Sequence, residues 1–163
     1  MDALFAPVSG AWQQVSPRLA TVRRILILAA AAFFAIVGAV LWIVLPGWWW
    51  AAALVVVLSL AGAVWGWIWA GRNRRSWGYS ENADDLLVTC GVMFKRLVAI
   101  PYGRMQFVDV QAGPLHRAFG IATVTLHTAS TETAADIPGL PADEAIRLRN
   151  RLTELGESHG AGL

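Results

Sequence analysis

Two stretches without a single charge dominate what this chain can become. "ILILAAAAFFAIVGAVLWIVL", Ile25 to Leu45, and "WWWAAALVVVLSLAGAVWGWIW", Trp48 to Trp69, are parted only by Pro46 and Gly47. The first holds 21 residues, and at about 1.5 Å per residue it matches the roughly 30 Å hydrocarbon layer of a bilayer. A signal peptide is a poor alternative, because its apolar region is shorter and leads into a polar chain rather than a second span. The sequence therefore predicts a transmembrane hairpin, 25–45 and 48–69, behind an N-terminal tail, 1–24. The hydrophobic fraction of 56 % has the same origin, since a soluble domain carries about 45–50 %.

Arginine placement sets the expected orientation. Arg18, Arg23 and Arg24 precede the first span, Arg72, Arg74 and Arg75 follow the second, and the turn between them has no charge. By the positive-inside rule both termini are cytoplasmic and the protein is a multi-pass component of the cell membrane. All nine tryptophans lie within residues 1–77. Trp48, Trp49 and Trp50 are expected at the outer interface and Trp67, Trp69 and Trp77 near the inner one, where an amphipathic indole is favoured. Small residues at four-residue spacing, Ala31, Ala35 and Ala39 on one helix and Gly62 and Gly66 on the other, suit close packing within the hairpin.

The net charge of +2 does not indicate nucleic acid. Residues 1–77 hold six Arg against Asp2, whereas residues 78–163 hold seven Lys or Arg against ten acids. The basic charge belongs to the membrane flanks, so the electrostatic footprint of a DNA or RNA binder is missing. One cysteine, Cys90, excludes an internal disulfide and a cysteine-based zinc site.

After Trp77 the pattern turns to short strands. "DLLVTCG" and "VMFKRLVAIP" meet at Gly91 as a hairpin. "RMQFVDVQ" alternates imperfectly, which predicts a bulge near Phe107. In "IATVTLHT", Ala122, Val124 and Leu126 face one way and Thr123, Thr125 and His127 the other. "AADIP" is a further short strand. "PADEAIRLRNRLTEL" opens with Pro141 and the acids Asp143 and Glu144, and Ala145, Leu148, Leu152 and Leu155 form one apolar stripe. Arg147 and Arg151 are within helical reach of Asp143 and Glu154. The expected fold class is α+β, an antiparallel sheet or barrel closed by a C-terminal amphipathic helix, with a frayed tail at 156–163.

This order of elements, with "GVMFKRLVAIPYGRMQFVDVQAGPLHRAFGIATVTLHTAS" and "IPGLPADEAIRLRNRL", resembles bacterial membrane proteins of the YdbS type with a pleckstrin-homology-like (PH-like) domain. The residues that carry the resemblance are Gly91, Pro101, Arg104 with Gln106, Gln111 with Gly113, Pro114 and Leu115, and Gly120. Ala112 and Met105 depart from the pattern without disturbing it. The resemblance covers roughly residues 20 to 155 and implies a PH-like domain, here 76–155, on a membrane anchor, with no established reaction. A fold of this kind hosts many binding functions, so it names no ligand.

The candidate binding residues are Arg104, Gln111, His116 and Arg117. Catalysis at His116 and Arg117 would need a nucleophile or carboxylate beside them, and none is adjacent in sequence. The favoured reading is an architectural corner, with Gly113, Pro114 and Gly120 setting the turn and Gln111 bonding to backbone. Asp84 and Asp85 would point to opposite faces of a strand and do not form an acid–base pair. Cys90 reads as an inert sheet residue, and His127 as a surface histidine with no metal spacing to His116 or His159. "SENADDL", Ser80 to Leu86, carries three acids where lipid-binding PH domains place bases, which repels a polyanionic headgroup. The chain is therefore expected to be non-catalytic, without cofactor or metal. It is read as an interaction or assembly module whose partners are the bilayer and a protein or second copy; a sensor of lipid or envelope state, using Arg72, Arg74 and Arg75, is the alternative.

Overall fold

The computed structural model describes residues 12–44, 46–128 and 134–160. The first strand comes before the membrane helices. β1 (Gln13–Gln14) is followed by α1 (Pro17–Val44), a one-turn 3-10 helix at Pro46–Trp48, and α2 (Trp49–Arg75). Then come β2 (Gly78–Glu81), β3 (Asp85–Cys90), β4 (Arg96–Pro101), a 3-10 turn at Tyr102–Arg104, β5 (Met105–Gln111), α3 (Pro114–Ala118), β6 (Ile121–Thr128), β7 (Ala135–Pro141) and α4 (Ala142–Gly160).

The chain divides into two compact units, residues 20–72 and the remainder. In the hairpin unit, α1 and α2 are both long and apolar enough to cross a membrane. Phe33, Ile36, Trp42, Leu58 and Trp65 are exposed along them, where a soluble core helix would bury such side chains. The small-residue seam differs from the expected one. Gly38 and Gly66 make the close approaches, to Val56 and to Ile27 respectively, whereas Gly62 meets nothing within 4 Å and Ala39 is exposed. At the arginine-rich end, the Arg24 guanidinium lies 4.5 Å from the Trp67 ring centre and that of Arg23 5.8 Å from Trp69, within the range of cation–π attraction.

The second unit is built on two antiparallel sheets, ordered β1-β2-β3-β4 and β5-β6-β7; these do not form a closed barrel. The apolar positions explain the layers. Leu86 pairs with Ile100 and Tyr79 with Val88 across the first sheet, and all four are buried. On β6, Ala122, Val124 and Leu126 are buried while Thr123, Thr125 and His127 are half-exposed, as the alternation predicted. Ala145, Leu148 and Leu152 of α4 are buried too, and the helix packs on the Tyr102–Arg104 turn and on β5, β6 and β7. Gly91 turns between β3 and β4 at φ 104°, and the β5–β6 register slips between Met105 and Phe107. Both match the sequence reading.

The N-terminal stretch does not. Part of the segment read as a tail, 1–24, is woven into the sheet unit: Gln13 pairs with Tyr79 and Gln14 with Gly78. The Ser16 amide then donates to the Gly139 carbonyl at 2.9 Å, and Arg74 Nε donates to the Val15 carbonyl at 3.2 Å. Residues 13–16 thus tie the first sheet to β7 of the second, and Val15 and Leu19 are buried with the core. A hydrogen-bonded strand of two glutamines has no apolar periodicity to announce it, because its partner lies on the far side of the hairpin in sequence.

Candidate functional site

The four candidate binding residues do not converge. Arg104 ends the 3-10 turn before β5, Gln111 ends β5 itself, and His116 and Arg117 lie on α3. Six strand residues separate Arg104 from Gln111, roughly 20 Å at about 3.3 Å per residue. Arg104 and Arg117 are exposed and His116 is half-buried. The Gln111 amide donates to the Asp109 carboxylate at 2.9 Å, a side-chain partner in place of the expected backbone one.

The corner is architectural at one glycine and not at the other. Gly113 has φ −67° and ψ 171°, extended backbone open to any residue, and only caps α3. Gly120 has φ 62°, donates to the Arg117 carbonyl and accepts from the Ala142 amide, both at 3.1 Å. Gly120→Val is therefore expected to cost more than about 1 kcal/mol, the scale of a backbone-incompatible substitution. The double variant His116→Ala, Arg117→Ala should stay within about 0.5 kcal/mol, as surface changes do. Thermal melts of the detergent-solubilised chain decide; the reverse order of effects would reject the assignment.

The ionisable groups that do meet join β2 to α4. Arg147 grips Glu144 with two hydrogen bonds, from Nε at 2.9 Å and from Nη2 at 2.6 Å, and its Nη2 also reaches Glu81 at 2.6 Å. Tyr79 Oη donates to Glu144 at 2.8 Å. Arg147 was expected to pair with Asp143, but Glu144 points toward β2 and takes that place; Arg151 does lie 3.8 Å from Glu154. The Arg147 hydrogen bonds hold the Glu144 carboxyl below the usual carboxylate range, against the effect of burial, and burial pushes the Tyr79 phenol up. With its folded pKa depressed, Glu144 contributes stability above the ordinary glutamate value of about 4.3, and this is lost as pH falls through the folded pKa. Glu144→Gln should accordingly lose less stability than the wild type between about pH 5 and about pH 3. Identical pH slopes in thermal melts would contradict it.

The acidic loop is closed on itself. Asn82 donates from Nδ2 to the Asp85 carboxylate at 2.7 Å and from its amide to the Asp85 carbonyl at 3.0 Å. Tyr102, whose buried phenol is pushed up to about 12 by desolvation, donates to the Asn82 carbonyl at 2.9 Å. Asp84 and Asp85, read from the sequence as pointing to opposite faces of one strand, do not share it: Asp84 precedes β3 and only Asp85 belongs to it. Burial raises the Cys90 thiol, which disfavours the reactive thiolate. His127 stacks beneath the Phe107 ring at 4.1 Å between centres, and no cluster of three or more metal-ligating side chains occurs among the described residues.

A cleft of about 200 Å³ opens where the bulged β5 faces α4, lined by Met105, Phe107, Val108, Leu152 and Thr153 among others. It is smaller than the roughly 300–1,000 Å³ of ordinary small-molecule sites.

A sequence profile described as Bacterial PH domain matches residues 18–156. The chain belongs to that family. Among curated proteins, this bacterial PH-domain chain is 34 % identical over 79 residues to "UPF0699 transmembrane protein YdbS" of Bacillus subtilis (strain 168). That match covers 48 % of each protein, so the chain aligns with about half the length of its relative. No solved structure matches it significantly. The family, the transmembrane relative and the two exposed apolar helices together make this a membrane protein carrying a bacterial PH domain.

Proposed function

We propose that the protein is a non-catalytic interaction or assembly module, held by its hairpin on the cytoplasmic face of the cell membrane. The observation that carries this reading is the pairing of β1 with β2 across the hairpin. Strands that share one sheet lie on one side of a bilayer, so the hairpin leaves the PH-like unit and returns to it. The six flanking arginines support the cytoplasm as that side, by the positive-inside rule. An alkaline phosphatase fused after Leu163 is expected to be inactive and a fluorescent protein there bright; an active phosphatase would overturn the orientation.

The interaction role draws on the edge of the second sheet. β5 is an edge strand, Phe107 on it is exposed, and a free strand edge is a template for pairing with another chain. A photo-cross-linker placed at Phe107 is expected to capture a protein, either a partner or a second copy, in intact cells. Capture no stronger than from Asp136, on the opposite edge strand, would count against the role. The second reading, a sensor of lipid or envelope state, draws on Arg72 and Arg75, which are exposed at the end of α2 and would suit anionic headgroups.

A further inference from the structure

Outside the two membrane helices, Met93 and Phe94 are the most exposed large apolar side chains among the described residues, at 86 % and 87 %. They sit together at the tip of the β3–β4 hairpin, followed directly by Lys95 and Arg96, and no acid occurs from Gly91 to Ile100. Scattered exposed apolar residues are ordinary on any surface. An adjacent pair on a basic hairpin tip is not scattered, and the register shows where that tip lies.

Gly78 pairs with Thr89 on one side and with Gln14 on the other, and Cys90 pairs with Arg96. The start of β2, the end of β1 and the β3–β4 tip therefore share one end of the sheet. It is the end at which the chain leaves for α1, at Pro17, and arrives from α2, after Arg75. Either link is two residues, at most about 10 Å of extended chain from strand end to helix end. Beyond the last cross-strand pair the tip can project about two residues, roughly 7 Å. Charge follows the same axis. Arg74, Arg75, Lys95 and Arg96 mark the end next to the helices, while Glu81, Asp84 and Asp85 mark the opposite end.

We propose that the β3–β4 tip is a third attachment to the bilayer: Met93 and Phe94 enter the headgroup–acyl boundary of the leaflet crossed by the chain's own helices, with Lys95 and Arg96 facing its anionic headgroups. This rests on the reading that α1 and α2 cross that bilayer. The contact is apolar insertion with diffuse attraction and requires no phosphate clasp, so the acidic "SENADDL" loop does not oppose it.

The test uses the full chain with Cys90→Ala, reconstituted in vesicles of phosphatidylethanolamine and phosphatidylglycerol. An environment-sensitive fluorophore is attached through one new cysteine, Met93→Cys at the tip, Ala83→Cys in the acidic loop, or Ile36→Cys in the span. Quenching of the tip label by aqueous iodide is expected to be several-fold weaker than at position 83 and close to that at position 36. Adding Phe94→Asp to the tip-labelled chain should restore iodide access. Equal quenching at positions 93 and 83, with position 36 shielded, overturns the proposal while leaving the membrane reading intact. Quenching at position 36 overturns both. Shielding of position 93 that weakens as unlabelled lipid is added at fixed protein means a second copy covers the tip, and this too overturns the proposal.

Discussion

Replacing Gly139 with valine is expected to destabilise the PH-like unit by about 2–5 kcal/mol, from left-handed backbone strain and overpacking combined. Gly139 is buried within β7 at φ 73°, and a Cβ there would stand 2.6 Å from Leu19 Cβ. Its neighbour cannot retreat, because Leu19 is itself fully enclosed and Ser16, three residues before it, is bonded to the Gly139 carbonyl. The intrusion would therefore strike the junction of both sheets with the start of α1. Thermal melts of the full chain in mild detergent, read by protease resistance of residues 73–163, measure the loss. Gly113→Ala, at an open position of ordinary backbone, should change little. Equal melting of the two variants would show that the packing of Leu19 on β7 is not stabilising.

Leu148→Ala is the second large effect, expected at about 2–5 kcal/mol, the range for emptying a buried leucine site. Leu148 is 0 % exposed, in line with Ala145 and Leu152 on the face of α4 that covers the second sheet. Ile146, two residues away on the same helix, is 49 % exposed, and Ile146→Ala should cost less than about 1 kcal/mol. The same melts separate them. Comparable losses would mean that α4 is not docked by the Ala145–Leu148–Leu152 stripe.

What could be read from the sequence is what short-range periodicity determines. The alternation of Ala122, Val124 and Leu126, the stripe on α4, the turn at Gly91 and the irregular strand around Phe107 are each encoded within about ten consecutive residues, and each is found in the structure. The missed features are the ones made by distance along the chain. Gln13 and Gln14 become a strand only because β2 returns beside them. Arg147 chooses Glu144 and Glu81 over Asp143 because β2 lies against that side of α4. Gly139 is constrained by Leu19, a residue of the first membrane helix. For the candidate site the limit is similar: sequence proximity grouped Arg104, Gln111, His116 and Arg117, and an extended strand carried the first away from the others. Met93 and Phe94, two apolar residues beside Lys95 and Arg96, fall inside the segment whose composition reads as strand, although β4 starts only at Arg96.

The placement of a membrane hairpin between two neighbouring strands also bears on how the chain is made. β1 leaves the ribosome before either membrane helix, yet its strand partner β2 does not exist until both helices have been synthesised and the chain has come back to the starting side. Sheet closure is thereby a record of correct insertion. A chain whose second helix stalls outside the bilayer, or whose hairpin crosses once and not twice, cannot seat Gln13 and Gln14 against Tyr79 and Gly78. Such a chain would leave the β1 side of β2 without the pairing that Gln13 and Gln14 supply. The strand that looks least significant in the primary structure can thus pair only in a chain that has returned from the hairpin.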